Sequence, residues 1–491
     1  MIKKMLLIAV IMSACILFSC GENQTGNNEN NLQNNDFENE TLPEITGEPV
    51  KMLPDLPDIN FEGYDFKIYS AGPPRNEWAS QDIFAEEETG EPINDAVDRR
   101  NRYVEEKYNC RIVDIPSAEW DMTGAIRRAV TAGDDAYDAV VPSMADQANL
   151  ASAGYFTDLK QVPHLDLAKP WWDQRATVDL TIGNRLFFTV GDFFIMDNDA
   201  TWLVIFNKKL IADLALENPY DIVKNDKWTF DKLLEMSRGV SQDLNGDGVM
   251  DMHDFYGNVS QGENMTAFYL AAGERYVRKN SDDLPFTQMD TDRSTAVIEK
   301  IYDLMYDNEI SFNYWDLTPS DHTVTQRIFE EDRAVFKITA LQLVIRMRNM
   351  ETNFGIIPMP KFDANQQSYY HYVHPIASAL SIPVTAADLS RTGIILEALA
   401  AESLYTVRPA YYDISIEGKF LRDEESVEML DIILATRVFD LGKAFNWSNV
   451  GMILEDMYRP KQRDFISRYE RQKDRIEIAI SRTIEELENS D

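Results

Sequence analysis

Hydrophobic and polar positions fall into three regimes along the chain. Residues Met5 to Phe18 form an almost unbroken apolar run behind Lys3 and Lys4. The next stretch, GENQTGNNENNLQNNDFENETLPEITGEP, is nearly free of apolar residues until Leu42. From about Ile59 onward, strand-like runs alternate with helical periodicity. Phe66–Ser70, Cys110–Ile115 and Ala136–Val141 read as strands. Ile93, Val97, Val104 and Tyr108 fall on one helical face, and Trp120–Ala132 and Met144–Ala153 read as helices, closed by Gly133 and Gly154. Strands separated by helices predict a parallel sheet covered on both faces. Thr181–Phe188 reads as a hairpin around Gly183-Asn184. Further on, Leu203–Lys208 and Ala334–Ile338 read as strands. Phe230–Arg238, capped by Thr229, reads as a helix, as do the stretch around Val297–Met305, Gly393–Ser403, Ser426–Val438 and Phe465–Leu487. No solenoid-length repeat is present.

The apolar run is too short for a stable spanning helix and has the form of an export signal. Its end, Leu17-Phe18-Ser19-Cys20, resembles a bacterial lipobox. That resemblance implies a signal peptide over 1–19 and a lipidated Cys20, on the outer face of the membrane or in the periplasm. The Asn- and Glu-rich stretch cannot bury enough surface to fold, and 20–58 is read as a tether.

Composition narrows the function. A net charge of −36 argues against nucleic-acid binding. Three cysteines and five histidines leave little material for a disulfide framework or a histidine-rich metal centre. Once Cys15 leaves with the signal and Cys20 carries lipid, Cys110 remains as a buried free thiol. There is no GxGxxG or GxxxxGK[ST] loop, no GxSxG, no HExxH and no CxxC, and no organic cofactor is expected.

Four stretches carry a family resemblance. They are Tyr137–Val141 with Gly154–Leu159; Phe206-Asn207-Lys208-Lys209-Leu210; Trp228–Leu233; and Arg333–Phe336 with Phe354–Lys361. In this order the chain resembles the bacterial extracellular solute-binding proteins of the sugar-binding type, which serve ABC importers. The resemblance implies an α/β, two-lobed, periplasmic-binding-protein-like fold of type II. Its lobes would be discontinuous and joined by hinge crossovers, with no catalysis. Crossings are expected near Asp197–Ala200, Ile356–Pro358 and Ser403–Val407. Lobe one would hold 59–198 plus 358–403, and lobe two 199–357 plus 404–491. The implied partners are a small ligand, most simply a sugar, and ABC permease subunits, with the chain acting as a monomer. A lipid-anchored glycoside-acting enzyme and a lipid-anchored sensor without a transporter are the alternatives.

Ligands of such lobes meet loops at the carboxyl ends of strands. Sugars need flat aromatic faces and planar polar groups. The candidates are Ser70, Arg75, Trp78, Ser143, Asp146, Asp197, Asn198, Trp202, Thr339, Tyr370, His371, Arg408 and Tyr411. His371 and His374 lack a third ligand and read as a structural pair rather than a zinc site.

One local motif stands apart. Asp243, Asn245, Asp247, Val249 through its carbonyl, Asp251 and Asp254 occupy the ligand positions of a twelve-residue calcium loop, with Gly248 at the turn. One structural calcium ion is expected, with Asp254 standing where such loops usually carry Glu.

Overall fold

In the computed structural model, strands form where apolar runs find two covered faces. The described residues are 51–307, 309–417 and 423–488. The signal segment, Cys20 and the tether up to residue 50 lie outside them. The folded body begins at Leu53.

The first sheet has the order β2-β1-β3, with β1 (Tyr64–Ser70), β2 (Cys110–Pro116) and β3 (Ala139–Val140) all parallel. Alternation fixes its register: Phe66 and Ile68 point into the core and are fully buried. The helix Pro92–Tyr108 buries Val97, Val104 and Tyr108, as its periodicity predicts. The helix predicted from Trp120 begins only at Thr123 and ends at Gly133, whose φ of 71° suits a residue without Cβ.

The chain then supplies β4 (Trp202–Asn207), β5 (Tyr256–Ser260), a two-stranded ribbon of β6 (Arg278–Lys279) and β7 (Pro285–Phe286), β8 (Ser311–Asn313), β9 (Ala334–Ala340) and β10 (Phe354–Ile357). The second sheet runs β10-β4-β9-β5-β8. Its β9, β5 and β8 are parallel, whereas β4 is antiparallel to both β9 and β10. Every residue of β4 and β9 is buried, so neither strand alternates between a buried and an exposed face, even though β9 carries Lys337 and Thr339.

After β10 the chain returns to the first sheet. Ser381 bridges Val140, Ser378 bridges Ser143 and Leu380 bridges Thr189, all antiparallel. Strand β11 (His371–Tyr372) pairs with β12 (Arg437–Val438), a late crossing that sequence patterning does not reveal. The expected crossing near 403–407 does not coincide with a change of packing partner. Leu389–Ser403 and Val407–Glu417 both lie on Pro92–Tyr108. Leu441–Phe445 and the long helix Phe465–Glu488 both reach Met144–Ser152, so residues beyond 404 also touch elements of the first sheet's lobe. At the predicted hairpin, Gly183 and Asn184 do make the turn, but a single bridge, Ile182 to Arg185, replaces a ladder.

Cys110 is a buried free thiol, and burial pushes it up to about 12. Among the described residues no helix is long and apolar enough to cross a membrane.

Candidate functional site

The carboxyl ends of the first sheet gather three loops. The turn after β1 carries Arg75, which is buried and paired with Asp146 from the first turn of the helix after β3. Arg75 Nε also donates to the Trp120 carbonyl at 2.8 Å, and its guanidinium lies 5.1 Å from the centre of that indole. The Trp120 ring itself is 50% exposed. Arg75 thus holds an aromatic face outward while its charge is neutralised behind it. Gly72 makes this possible: a Cβ there would sit 2.0 Å from the Ser117 carbonyl oxygen, so the loops after β1 and β2 meet backbone to backbone.

Ser70 is buried at the end of β1, and Trp78 is half-buried at the end of the turn Pro73–Trp78. Ser143 caps the helix Met144–Ser152 by accepting from the Asp146 amide at 3.3 Å. Trp120 escaped the sequence reading because it was placed inside a helix. Its position just beyond the end of β2 is the signal that would have found it.

One edge of the second sheet carries a second group of residues. Ser260 at the end of β5 pairs with Asn313 at the end of β8, and Trp202 at the start of β4 pairs with Ala340 at the end of β9. Beside them lie several polar atoms that are buried and have no hydrogen-bond partner among the described residues: Trp202 Nε1, Thr339 Oγ1, Asn264 Nδ2, Asn313 Nδ2, Tyr372 Oη and Glu263 Oε2. Buried polar groups are normally satisfied, so a row of them on one edge makes this edge a candidate for polar contact, though others, such as Ser70 Oγ and Asp197 Oδ1, lie elsewhere. Trp202 and Tyr372 stack with ring centres 6.2 Å apart. The Trp315 ring lies against Gly262, where a Cβ would come within 2.1 Å of it. Burial, and then the neighbouring Glu455, push the Glu263 carboxyl up to about 7.

The remaining candidates sit elsewhere. His371 is fully buried; its Nε2 accepts from the Met359 amide at 3.1 Å, and its Nδ1 lies 2.8 Å from Thr436 Oγ1. Burial pushes His371 and His374 down to about 3, so both are neutral structural groups. Tyr370 is half-buried under the Arg275 guanidinium, 5.3 Å from the ring centre.

The first crossover forms a separate buried charge cluster. Arg437 donates to Asp197 at 2.6 Å and also reaches Asn198 and Asp173. Tyr411 donates to Asp199 at 2.7 Å. Arg408, on the exposed side of its helix, stands 3.5 Å from Asp192. Burial dominates here, raising Asp197 to about 6 and Asp192 and Asp199 to about 7. Asp197, Asn198 and Tyr411 therefore hold the crossover together and are not gathered with the aromatic and polar row. Arg437 was missed because nothing in its local sequence marks it as the partner of Asp197.

The acidic loop is folded around its own backbone. Asp243 accepts from the Gly246 and Gly248 amides at 2.7 and 2.8 Å, Asn245 from Asp247 at 2.9 Å, and Asp247 from Val249 at 2.8 Å. Asp251 accepts from the His253 amide at 2.8 Å. Buried Asp254 accepts from Leu244 and Asp251 at 2.9 and 2.8 Å. The Gly248 and Gly246 amides hold the Asp243 carboxyl below its usual range. The donors are hard oxygens of the type calcium takes, and each carboxylate oxygen keeps a lone pair beyond its amide contact. Among the described residues no three His, Cys, Asp or Glu side chains are gathered as a metal site.

Comparison with known proteins places this geometry. Residues 85–389 match the family described as bacterial extracellular solute-binding protein. No match was found among curated proteins. Solved structures share the fold at low identity. An ABC substrate-binding protein from Listeria monocytogenes, in complex with cycloalternan, is 12% identical with a TM-score of 0.54, covering 85% of this chain and 99% of its own. The maltose/maltodextrin-binding domain from Bdellovibrio bacteriovorus, bound to maltotriose, is 13% identical with a TM-score of 0.52, covering 86% and 100%. A sugar transporter protein from Rhizobium etli in an open conformation is 14% identical with a TM-score of 0.56, covering 87% and 100%. The shared fold is two-lobed and α/β. The chain belongs to the family of bacterial extracellular solute-binding proteins.

Proposed function

We propose that the protein captures a carbohydrate outside the cell, between its two lobes, and delivers it to an ABC importer. The observation that carries this reading is the row of unpartnered polar atoms, Trp202, Thr339, Asn264, Asn313, Tyr372 and Glu263, on one edge of the second sheet. Trp120, held outward by Arg75 at the ends of the first sheet, would offer an aromatic face. A saccharide satisfies both, since its hydroxyls pair with planar polar groups and its C–H faces stack on rings. Related structures holding cycloalternan and maltotriose support the ligand class. Closure of the lobes about their crossovers would bury the ligand. The reading includes no catalytic step. Cys20 would carry the lipid that keeps the protein at the membrane, and the loop from Asp243 to Asp254 would take one structural calcium ion.

The test is a thermal-shift screen of mono- and oligosaccharides, followed by mass analysis of the ligand. A binding protein is stabilised by ~2.7 kcal/mol at 100 times the dissociation constant, and the saccharide is recovered intact. Stabilisation by peptides or polyanions alone would overturn the carbohydrate reading, and recovered hydrolysis products would overturn the absence of catalysis.

A further inference from the structure

We infer that the ligand presents a protonated amine to Glu263, so that the preferred saccharide is an amino sugar rather than a neutral glucan. This rests on the proposed cleft between the lobes. Glu263 follows β5 directly, beside the row of unpartnered donors, and its Oε2 is buried without a partner. The nearby base is already engaged: Lys443 Nζ lies 2.8 Å from Glu455 Oε1 and 2.7 Å from the Gly451 carbonyl oxygen. Among the described residues no Lys or Arg forms an ion pair with Glu263.

The charge balance of the cleft follows. Lys443 is bonded to Glu455 and acts on Glu263 only through its field, so among the described residues Glu263 has no ion-pair partner of its own. An unpaired buried carboxylate costs several kcal/mol, so it is protonated or finds a cation. A neutral hydroxyl donates one hydrogen bond to it and leaves the charge uncompensated. An ammonium supplies both the bond and the charge.

The surroundings suit a cation as well. Tyr372 and Tyr314 lie close enough to feel the Glu263 charge. Burial first, and the Glu263 charge after it, push Tyr314 up to about 12, and Glu263 is also among the charges that raise Tyr372. Aromatic rings near a carboxylate can take part in binding an ammonium group. The amides of Asn264 and Asn313, the Thr339 hydroxyl and the Trp202 indole N–H remain available for the oxygens of the same sugar. These fully buried donors distinguish the site from a mere acidic patch.

The experiment is isothermal titration of the full chain with three probes: a glucosamine trimer, its N-acetylated counterpart and maltotriose. The glucosamine trimer is expected to bind tightest, with affinity falling by about tenfold or more in Glu263→Gln. The two neutral trimers should bind weakly and lose much less affinity than the glucosamine trimer on that substitution, since they lose a hydrogen bond but no charge pairing. Glu263→Gln removes an uncompensated charge, so its ligand-free melting temperature should rise, showing that the variant is folded. Equal binding of neutral and charged trimers, unchanged in Glu263→Gln, would overturn the inference and leave carbohydrate capture standing. A protein that binds none of the three also contradicts the inference. The wider saccharide screen then decides whether carbohydrate capture falls with it.

Discussion

Glu77 Oε1 and Arg346 Nη2 lie 3.1 Å apart, joining the turn after β1 to the helix after β9. Glu77 lies in the helical turn after a strand of the first sheet and Arg346 in the helix after a strand of the second, so the pair joins the surroundings of the two sheets. Partial burial raises the Glu77 carboxyl, but its own backbone amide and Arg346 outweigh that and hold it below the usual range.

The pair should favour the closed arrangement weakly. Its side chains are 38% and 32% exposed, and exposed pairs are worth ~0.2–1 kcal/mol. Glu77→Gln is therefore expected to weaken saccharide affinity by no more than about fivefold, with little change in melting temperature. Titration calorimetry beside a melting curve separates the two effects. A large loss of stability would show that the pair supports the fold and does not act on closure.

Arg437 has a heavier role. It is the cation for Asp173 and Asp197, and the three side chains are only 13%, 10% and 3% exposed. Removing one partner from a buried ion cluster costs ~3–5 kcal/mol, because the carboxylates stay behind unpaired. Arg437→Met should lower denaturant stability by that amount, measured by urea unfolding. A change within experimental error would contradict the cluster's role at the crossover.

Asp199 gives stability a pH dependence of definite sign. Its carboxyl ordinarily titrates at 3.8, and in the folded chain burial first, and then Asp197 and Asp82, lift it to about 7 against the Tyr411 hydrogen bond. The folded state holds a proton that the unfolded state has released. This contribution is fully present below the ordinary value and is lost as the pH rises towards 7. Asp199→Asn keeps an acceptor for Tyr411 and carries no charge. The variant should melt higher than the parent at pH 8 and gain little at pH 4. A gain of the same size at both pH values would contradict a charged Asp199 at high pH.

The calcium loop predicts a cation-dependent melting temperature. Excess chelator should lower it, added calcium should restore it, and Asp243→Asn should abolish the difference. With a site filled to 100 times its dissociation constant the effect is ~2.7 kcal/mol. Identical melting curves with calcium and with chelator would exclude the ion.

Much of the fold was legible because local rules and tertiary burial agree. Phe66 and Ile68 alternate inward, Val97 and Val104 share a helical face, and Thr229 caps its helix by accepting from the Lys232 amide at 3.3 Å. The site was less legible. Arg75 and Asp146 were both named from their positions after strands, and they do meet. Trp120 was hidden by an overextended helix. Asn264, Asn313 and Glu263 were hidden because only the order of strands in the second sheet brings their loops to one edge. His371 and Tyr411 lie after crossovers, as sites often do, yet both point into packed interior. Chain order sets which loop a residue occupies, and long-range pairing sets whether that loop faces the cleft.

The most direct test of the central claim is native mass spectrometry of the full chain incubated with a mixed pool of neutral and amino oligosaccharides. The account predicts one intact saccharide per chain, lost when Trp120 and Trp202 are both replaced by alanine in a protein that still melts cooperatively. A spectrum with no bound saccharide under conditions that preserve the fold, or with cleaved products in its place, would contradict it.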